Sequence, residues 1–413
     1  MLLDKVLGYL VIFIPISLIS GPLIPEILMF FAIAIFLFKI FKFKKFYYFK
    51  NVYTYFFISF YLYINLRSLF VDEMFLSLKS TIFYFRFYLL SLVIWYLLDT
   101  SNKFPKKFLK FFLISIIILI LDGVLQFNIG TNIFGWEKIH PQRVSGLFGD
   151  ELVLGSYLVR FLPIIIGVYI FINFDEFNFY KTFILFLIIF IFYAGIAISG
   201  DRTAFYLSLL FLPFLINLKK IPYVKDKIFL LGISFLILLF IFVFTNDSLK
   251  KRIIDSTIAS MISKGNENNN TRIILFSNNH ENHIKTAIKI FNDNKLYGVG
   301  VKQFRFICND PKYYENKHSC ATHPHNIYAQ FLSELGLLGF IFLMIYFFYI
   351  CFRIFQNIFK KKNNSINLLN LMVLITIFIN LFPFSPSGNF FNNWISMIYF
   401  FPIGFYLYSI KKH

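Results

Sequence analysis

The residues best suited to chemistry are grouped just ahead of a long apolar run. His323-Pro324-His325-Asn326 immediately precedes Ile327 to Cys351, and five of the seven histidines fall between His280 and His325. A neutral imidazole can take a proton near pH 7, and an arginine fork can hold an anion through paired N–H donors. Arg143, Arg202 and Arg272 are therefore read together with these histidines. Hydrocarbon hosts polar side chains only at high cost, so histidine, arginine and asparagine at the mouth of an apolar helix suit a polar substrate handled at a membrane surface. Other catalytic templates fit poorly. His280 and His283 are one residue too close for i, i+4 ligation, and there is no HExxH or paired CxxC spacing, no GxSxG elbow and no Walker loop. No metal and no cofactor is expected.

The elements that must position these residues are membrane helices. The 413 residues are 58% hydrophobic and only 15% charged, with a mean hydropathy of +0.69, more apolar surface than a soluble domain of this length can bury. The expected class is an all-α, multi-pass membrane protein. A net charge of +19 would ordinarily raise nucleic acid as a partner. Here the basic residues lie mainly in short loops between apolar stretches, where they set orientation, so membrane lipids are expected as partners and nucleic acid is not. The 61 Phe and 25 Tyr accompany abundant Ile, Lys and Asn throughout and are read as coding bias rather than as stacking sites. The apolar start, Leu7 to Ile24, has no small-residue cleavage site and runs at once into a second apolar stretch, so it reads as a retained helix.

Windows long enough to cross about 30 Å of hydrocarbon predict about twelve transmembrane helices. They lie near 6–22, 24–41, 52–67, 81–98, 108–126, 151–172, 182–199, 203–218, 228–245, 327–352, 367–383 and 394–410. The implied organisation is 1–245 with helices one to nine, a large helical loop at 246–330, and 331–413 with helices ten to twelve. With a cytoplasmic N-terminus, inner segments collect clusters such as Lys39 to Lys50 and Lys219 to Lys227, whereas the short outer loops hold only Arg67, Lys79, Lys138, Arg143 and Arg202. That asymmetry puts both termini inside and the long loop outside. Within the loop, 246–264 reads as a surface helix, 265–270 as a linker and 272–291 as a second helix, before Gly298-Val299-Gly300 breaks the chain. Cys308 and Cys320 are a disulfide candidate, because an oxidising exterior permits the bond; two unpaired thiols are the alternative.

The even-numbered helices begin outside, and helix N-termini favour anions. Arg143 precedes the sixth helix, Arg202 opens the eighth and His325 opens the tenth, while Arg86 and Arg160 lie within the fourth and sixth. Each has a plainer reading. Arg86 and Arg160 could pair with an internal carboxylate or snorkel, Arg143 could be a loop cation, Asp150 a helix cap and His325 a structural histidine.

Four segments in order carry a family resemblance: Arg143 with SGLFGDELVLGSYL, SGDRTAF at Ser199 to Phe205, Arg272 leading to LYGVGVKQF, and HPHNIYAQFLSELGLLGF. Together they resemble the O-antigen ligase and O-antigen polymerase superfamily, integral membrane glycosyltransferases. The resemblance implies a twelve-helix fold with a large periplasmic loop in a bacterial inner membrane. It also implies a glycan donor on undecaprenyl pyrophosphate and metal-independent transfer; if the transfer is direct displacement at the anomeric carbon, inversion is expected. By the matching motifs, His325 is the base or acceptor-orienting residue, and Arg202 and Arg272 are diphosphate ligands. Arg143, Arg86, Arg160, His323 and Asn326 are further candidates for substrate binding. A ligase would use a lipid A core sugar as acceptor and a polymerase another lipid-linked glycan; ligase is preferred. An anion transporter is the alternative of another class, but its site belongs near mid-membrane between inverted repeats, and none is evident.

Overall fold

In a computed structural model, residues 2–264, 271–273, 277–316, 318–360 and 364–411 are described, with backbone alone at 263–264 and 271–273. The expected linker at 265–270 lies outside them. Among the described residues the chain is helical apart from a short antiparallel ribbon of β1 (Ile262–Lys264) and β2 (Thr271–Ile273).

The first nine helices are α1 (Leu2–Ser17), α2 (Leu23–Phe43), α3 (Val52–Ser68), α4 (Met74–Thr100), α5 (Phe104–Ile129), α6 (Leu154–Asn173), α7 (Phe179–Ile198), α8 (Arg202–Lys220) and α9 (Asp226–Thr245). The long polar segment supplies α10 (247–261), α11 (Asn278–Asp293) and the single turn α12 (Phe304–Ile307). The chain closes with α13 (Ile327–Ile358), α14 (Ser365–Asn380) and α15 (Asn393–Lys411). Among the described residues nine helices are long and apolar enough to cross a membrane; α3, α14 and α15 occupy the other expected positions but are not among the nine. The protein is a multi-pass membrane protein.

Burial distinguishes the centre of the bundle from its lipid face. The apolar stretch of α6 is 78% buried and that of α4 72%, against 28% for α9 and for α13. An exposed apolar face in hydrocarbon costs nothing, so association must come from close packing. At Gly167 of α6 a Cβ would lie 2.8 Å from Met372 Cβ of α14, an approach that only glycine permits.

Two expectations about helix starts are corrected. The second loop helix starts at Asn278, not at 272: Thr271 and Ile273 are β-branched and pair with 262–264, and the extended Ser277 (ψ 154°) opens the helix. Asp150 does not cap α6, whose N-cap position is Val153, without a side-chain bond.

The entry to α13 is interrupted. Residues Phe331–Leu335 form a π-helical turn, and Gly336 follows at φ +63°. The carbonyls of Ser333 and Glu334 are taken instead by Val299 N–H (2.9 Å) and Gly300 N–H (2.7 Å), and Leu337 N–H reaches Lys295 O at 2.7 Å. Gly298 and Gly336 meet backbone to backbone, where a Cβ on Gly336 would lie 2.5 Å from Gly298 N. The predicted break at Gly298-Val299-Gly300 is thus the dock for an apolar helix.

Candidate active site

Four structural features hold the histidine segment. Asn326 opens α13: its Oδ1 accepts from Tyr328 N–H (3.0 Å) and Ala329 N–H (3.1 Å), and its Nδ2 donates to Pro383 O (2.8 Å). His325 adopts a left-handed backbone (φ +55°), and its carbonyl accepts from Ser387 N–H at 2.9 Å. Behind them Gln330 Nε2 donates to Glu334 Oε2 (2.9 Å) and Asn389 Oδ1 (3.1 Å), and Gln330 Oε1 accepts from Phe390 N–H (3.0 Å). The turn between α14 and α15 is therefore one wall of the site. The disulfide between Cys308 and Cys320, with Cα atoms 5.1 Å apart, ties α12 to the chain entering His323.

Four imidazoles converge here. The His323 and His325 rings lie 4.1 Å apart, and His325 lies 5.1 Å from His283 and 5.2 Å from His280. His323 Nε2 faces Ser387 O at 3.2 Å and its Nδ1 faces Thr322 Oγ1 at 2.9 Å. A carbonyl only accepts, so Nε2 carries the proton and Nδ1 takes the hydroxyl hydrogen. Both nitrogens of His323 are occupied, which leaves His325 as the ring of the pair without a hydrogen bond among the described residues. Burial pushes His325 down to about 3 and His323 to about 4, with neighbouring positive charge adding to the shift; His280 and His283 are lowered for the same leading reason. All four are neutral at pH 7.

A group of guanidinium ions gathers at the start of α8. The left-handed Gly200 (φ +63°) packs against the Gln142 carbonyl, and Val144 N–H reaches Ser199 O at 3.1 Å, which sets Arg143 against the start of α8. Asp201 caps α8 through Ala204 N–H (3.2 Å), and its Oδ2 lies 4.0 Å from Arg143 Nη2. Arg143 also donates to Leu152 O (2.7 Å), and its Nε is buried without a partner among the described residues. Arg202 donates to Ser256 O (2.7 Å) and Ser260 Oγ (3.1 Å) of α10. Arg252 donates to Gly200 O (3.1 Å) and is pushed down to about 10, by burial first and then by the charges of Arg202 and Arg143. His140 is lowered by burial and then by Arg252 and Arg143. Among the described residues Asp201 is the carboxylate that offsets these charges, so the group favours an anion.

After burial, the Arg202 charge also lowers His280. Arg252, His140, His280 and His283 had not been singled out as site residues. Arg252 sits among lysines in a polar helix, without a motif. The histidines were visible, but only as a poor metal pair; among the described residues no set of three or more His, Cys, Asp or Glu is arranged to hold a metal ion. Two other candidates have partners within the bundle. Arg86 pairs with Glu26 at 2.9 Å, and Arg160 donates to Asn380 Oδ1 at 3.0 Å and lies over the Tyr399 ring. The Arg272 backbone pairs with Ser263 in the ribbon, and its side chain is outside the described atoms.

Residues 183–344 match the family model described as O-Antigen ligase. Across that segment the chain is similar to the O-antigen ligase family. No curated protein matches the sequence. The matched O-antigen ligase segment contains Arg202, Arg252 and all four converging histidines, whereas Arg143, His140 and the Ser387 turn lie outside it. Members of this superfamily are membrane glycosyltransferase-like enzymes, with lipid-linked glycans and membrane lipids as partners.

Proposed function

We propose that this protein transfers a glycan from undecaprenyl pyrophosphate to a lipid A core sugar at the periplasmic face of a bacterial inner membrane. What supports the reading is that Arg143, Arg202 and Arg252 gather around the start of α8 while His280, His283, His323 and His325 converge before the start of α13. The acceptor hydroxyl oxygen attacks the anomeric carbon, and the bond from that carbon to the diphosphate oxygen breaks. The departing diphosphate takes the electron pair and is held by Arg202, Arg143 and Arg252, with Arg272 from the same segment; His325 accepts the hydroxyl proton. A bound diphosphate raises the proton affinity of the nearby imidazole, so the base strengthens as the donor arrives. Direct displacement inverts the anomeric centre, and a trapped covalent glycosyl-enzyme would contradict it.

The test is transfer by purified protein from a lipid-linked donor. Arg202→Ala and His325→Ala should each abolish turnover, and wild-type rates in both would overturn the assignment. The acceptor is read from a deletion strain. Core without glycan, together with accumulated long lipid-linked glycan, supports the ligase; core bearing one repeat identifies a polymerase instead.

A further inference from the structure

A second recognition surface lies on the loop between α5 and α6. Trp136, Glu137, Lys138, Ile139, Gly149 and Asp150 line a cleft of about 600 Å³. The indole is 46% exposed, rests against Gly149 (a Cβ there would lie 3.7 Å from its six-membered ring) and has Phe134 beside it at 5.3 Å. The Glu137 and Asp150 side chains are exposed on the same cleft. The lysine is turned away: Lys138 Nζ donates to Phe127 O at 2.7 Å and lies over the Phe127 ring. An open aromatic face flanked by two carboxylates suits a pyranose ring, whose C–H face packs on the indole while its hydroxyls donate to the carboxylates.

The presentation of this cleft is rigid. Asn132 Oδ1 accepts from Phe134 N–H (3.0 Å) and Trp136 N–H (2.8 Å), and Asp122 Oδ1 accepts from Ile133 N–H (2.9 Å). The same scaffold holds the Arg143 segment. Asn132 Nδ2 donates to Gly146 O (3.3 Å), while Gln126 donates to Trp136 O (3.2 Å) and accepts from Ser145 N–H (3.0 Å) and Gly146 N–H (2.8 Å). Trp136 and Arg143 are thereby fixed in one register, with Asp150 two residues from the Leu152 carbonyl that Arg143 holds.

We propose that the Trp136 cleft, with Glu137 and Asp150, is a subsite for a sugar ring of the transferred glycan; this rests on the transfer reading above. The competing occupant is lipid, since Ile133, Phe134 and Ile139 nearby are exposed and tryptophan is common at membrane interfaces. Carboxylates on the cleft and a withdrawn lysine oppose an anionic lipid headgroup.

The experiment uses the full chain in nanodiscs, with the oligosaccharide released by mild acid from the lipid-linked donor as probe. Saturation-transfer NMR should show its ring protons on wild type and on Arg202→Ala, and lose them in Trp136→Ala. In transfer assays Trp136→Ala should raise the donor KM about tenfold with kcat nearly unchanged, and Trp136→Phe should restore much of the binding. Equal oligosaccharide binding by wild type and Trp136→Ala overturns the proposal. So does quenching of Trp136 by brominated lipid, in a Trp95→Phe, Trp394→Phe background, that the oligosaccharide does not relieve. If Arg202→Ala and His325→Ala are inactive while Trp136→Ala behaves as wild type, only the subsite fails. If Arg202→Ala and His325→Ala remain active, the transfer reading fails, and the NMR experiment still reports on Trp136.

Discussion

The carbonyl of His325 accepts a 2.9 Å hydrogen bond from the backbone N–H of Ser387, 62 residues further along the chain and in the turn between α14 and α15. The orientation of His325 thus depends on a backbone donor rather than on a neighbouring side chain. Ser387→Pro removes that donor and should cut transfer sharply, while Ser387→Ala keeps it and should leave turnover near wild type. The stability cost of the lost bond is about 1 kcal/mol, measurable as a shift in the melting midpoint.

Arg252 is expected to act on the donor. Loss of one charge-assisted bond costs about 1.5–3 kcal/mol, so Arg252→Ala should raise the donor KM by roughly one to two orders of magnitude. Arg252→Lys keeps a positive charge without the fork and should recover part of that loss. Steady-state kinetics with varied donor checks this, and an unchanged KM would remove Arg252 from the diphosphate site.

His323 and His325 should make the fold sensitive to acid. Both are held well below the ordinary histidine value of 6.5, at about 4 and about 3, so the unfolded chain binds more protons than the native one between those values and 6.5. Stability is full above about 6.5 and declines as the pH falls toward 4. A His323→Gln, His325→Asn double variant should show a flatter dependence in melting curves recorded across that window.

Arg86 and Glu26 form a partly buried ion pair at 2.9 Å. Arg86→Met alone leaves a carboxylate in the bundle without its partner and should destabilise the fold more than Arg86→Met combined with Glu26→Gln. The double variant should retain transfer. A loss of activity there with an unchanged melting midpoint would return Arg86 to the substrate-binding residues.

The sequence made the apolar helices legible, because each is a continuous run bounded by charges, and their order is reproduced from α1 to α15. SGDRTAF and HPHN also stood out as polar residues at the start of apolar runs, where Asp201 and Asn326 open their helices. Long-range partners were not legible. Nothing local to Arg86 announces Glu26, 60 residues earlier, and nothing local to Arg160 announces Asn380. The same limit hid Arg252, whose meaning comes from lying beside Arg143 and Arg202 once α10 packs on α8. Asn326 was read as a substrate ligand, yet both ends of its amide are engaged in opening α13 and in holding Pro383 O. A helix cap and a ligand look alike in one dimension.

The backbone contact between Gly298 and Gly336 restricts how related proteins can be recombined. Grafting the polar segment from a homologue without the first turns of the following helix would set two unmatched surfaces against each other where no side chain can yield. Residues 295–303 and 327–337 therefore have to be exchanged as one unit, and a change in glycan preference acquired by exchange would have to carry both.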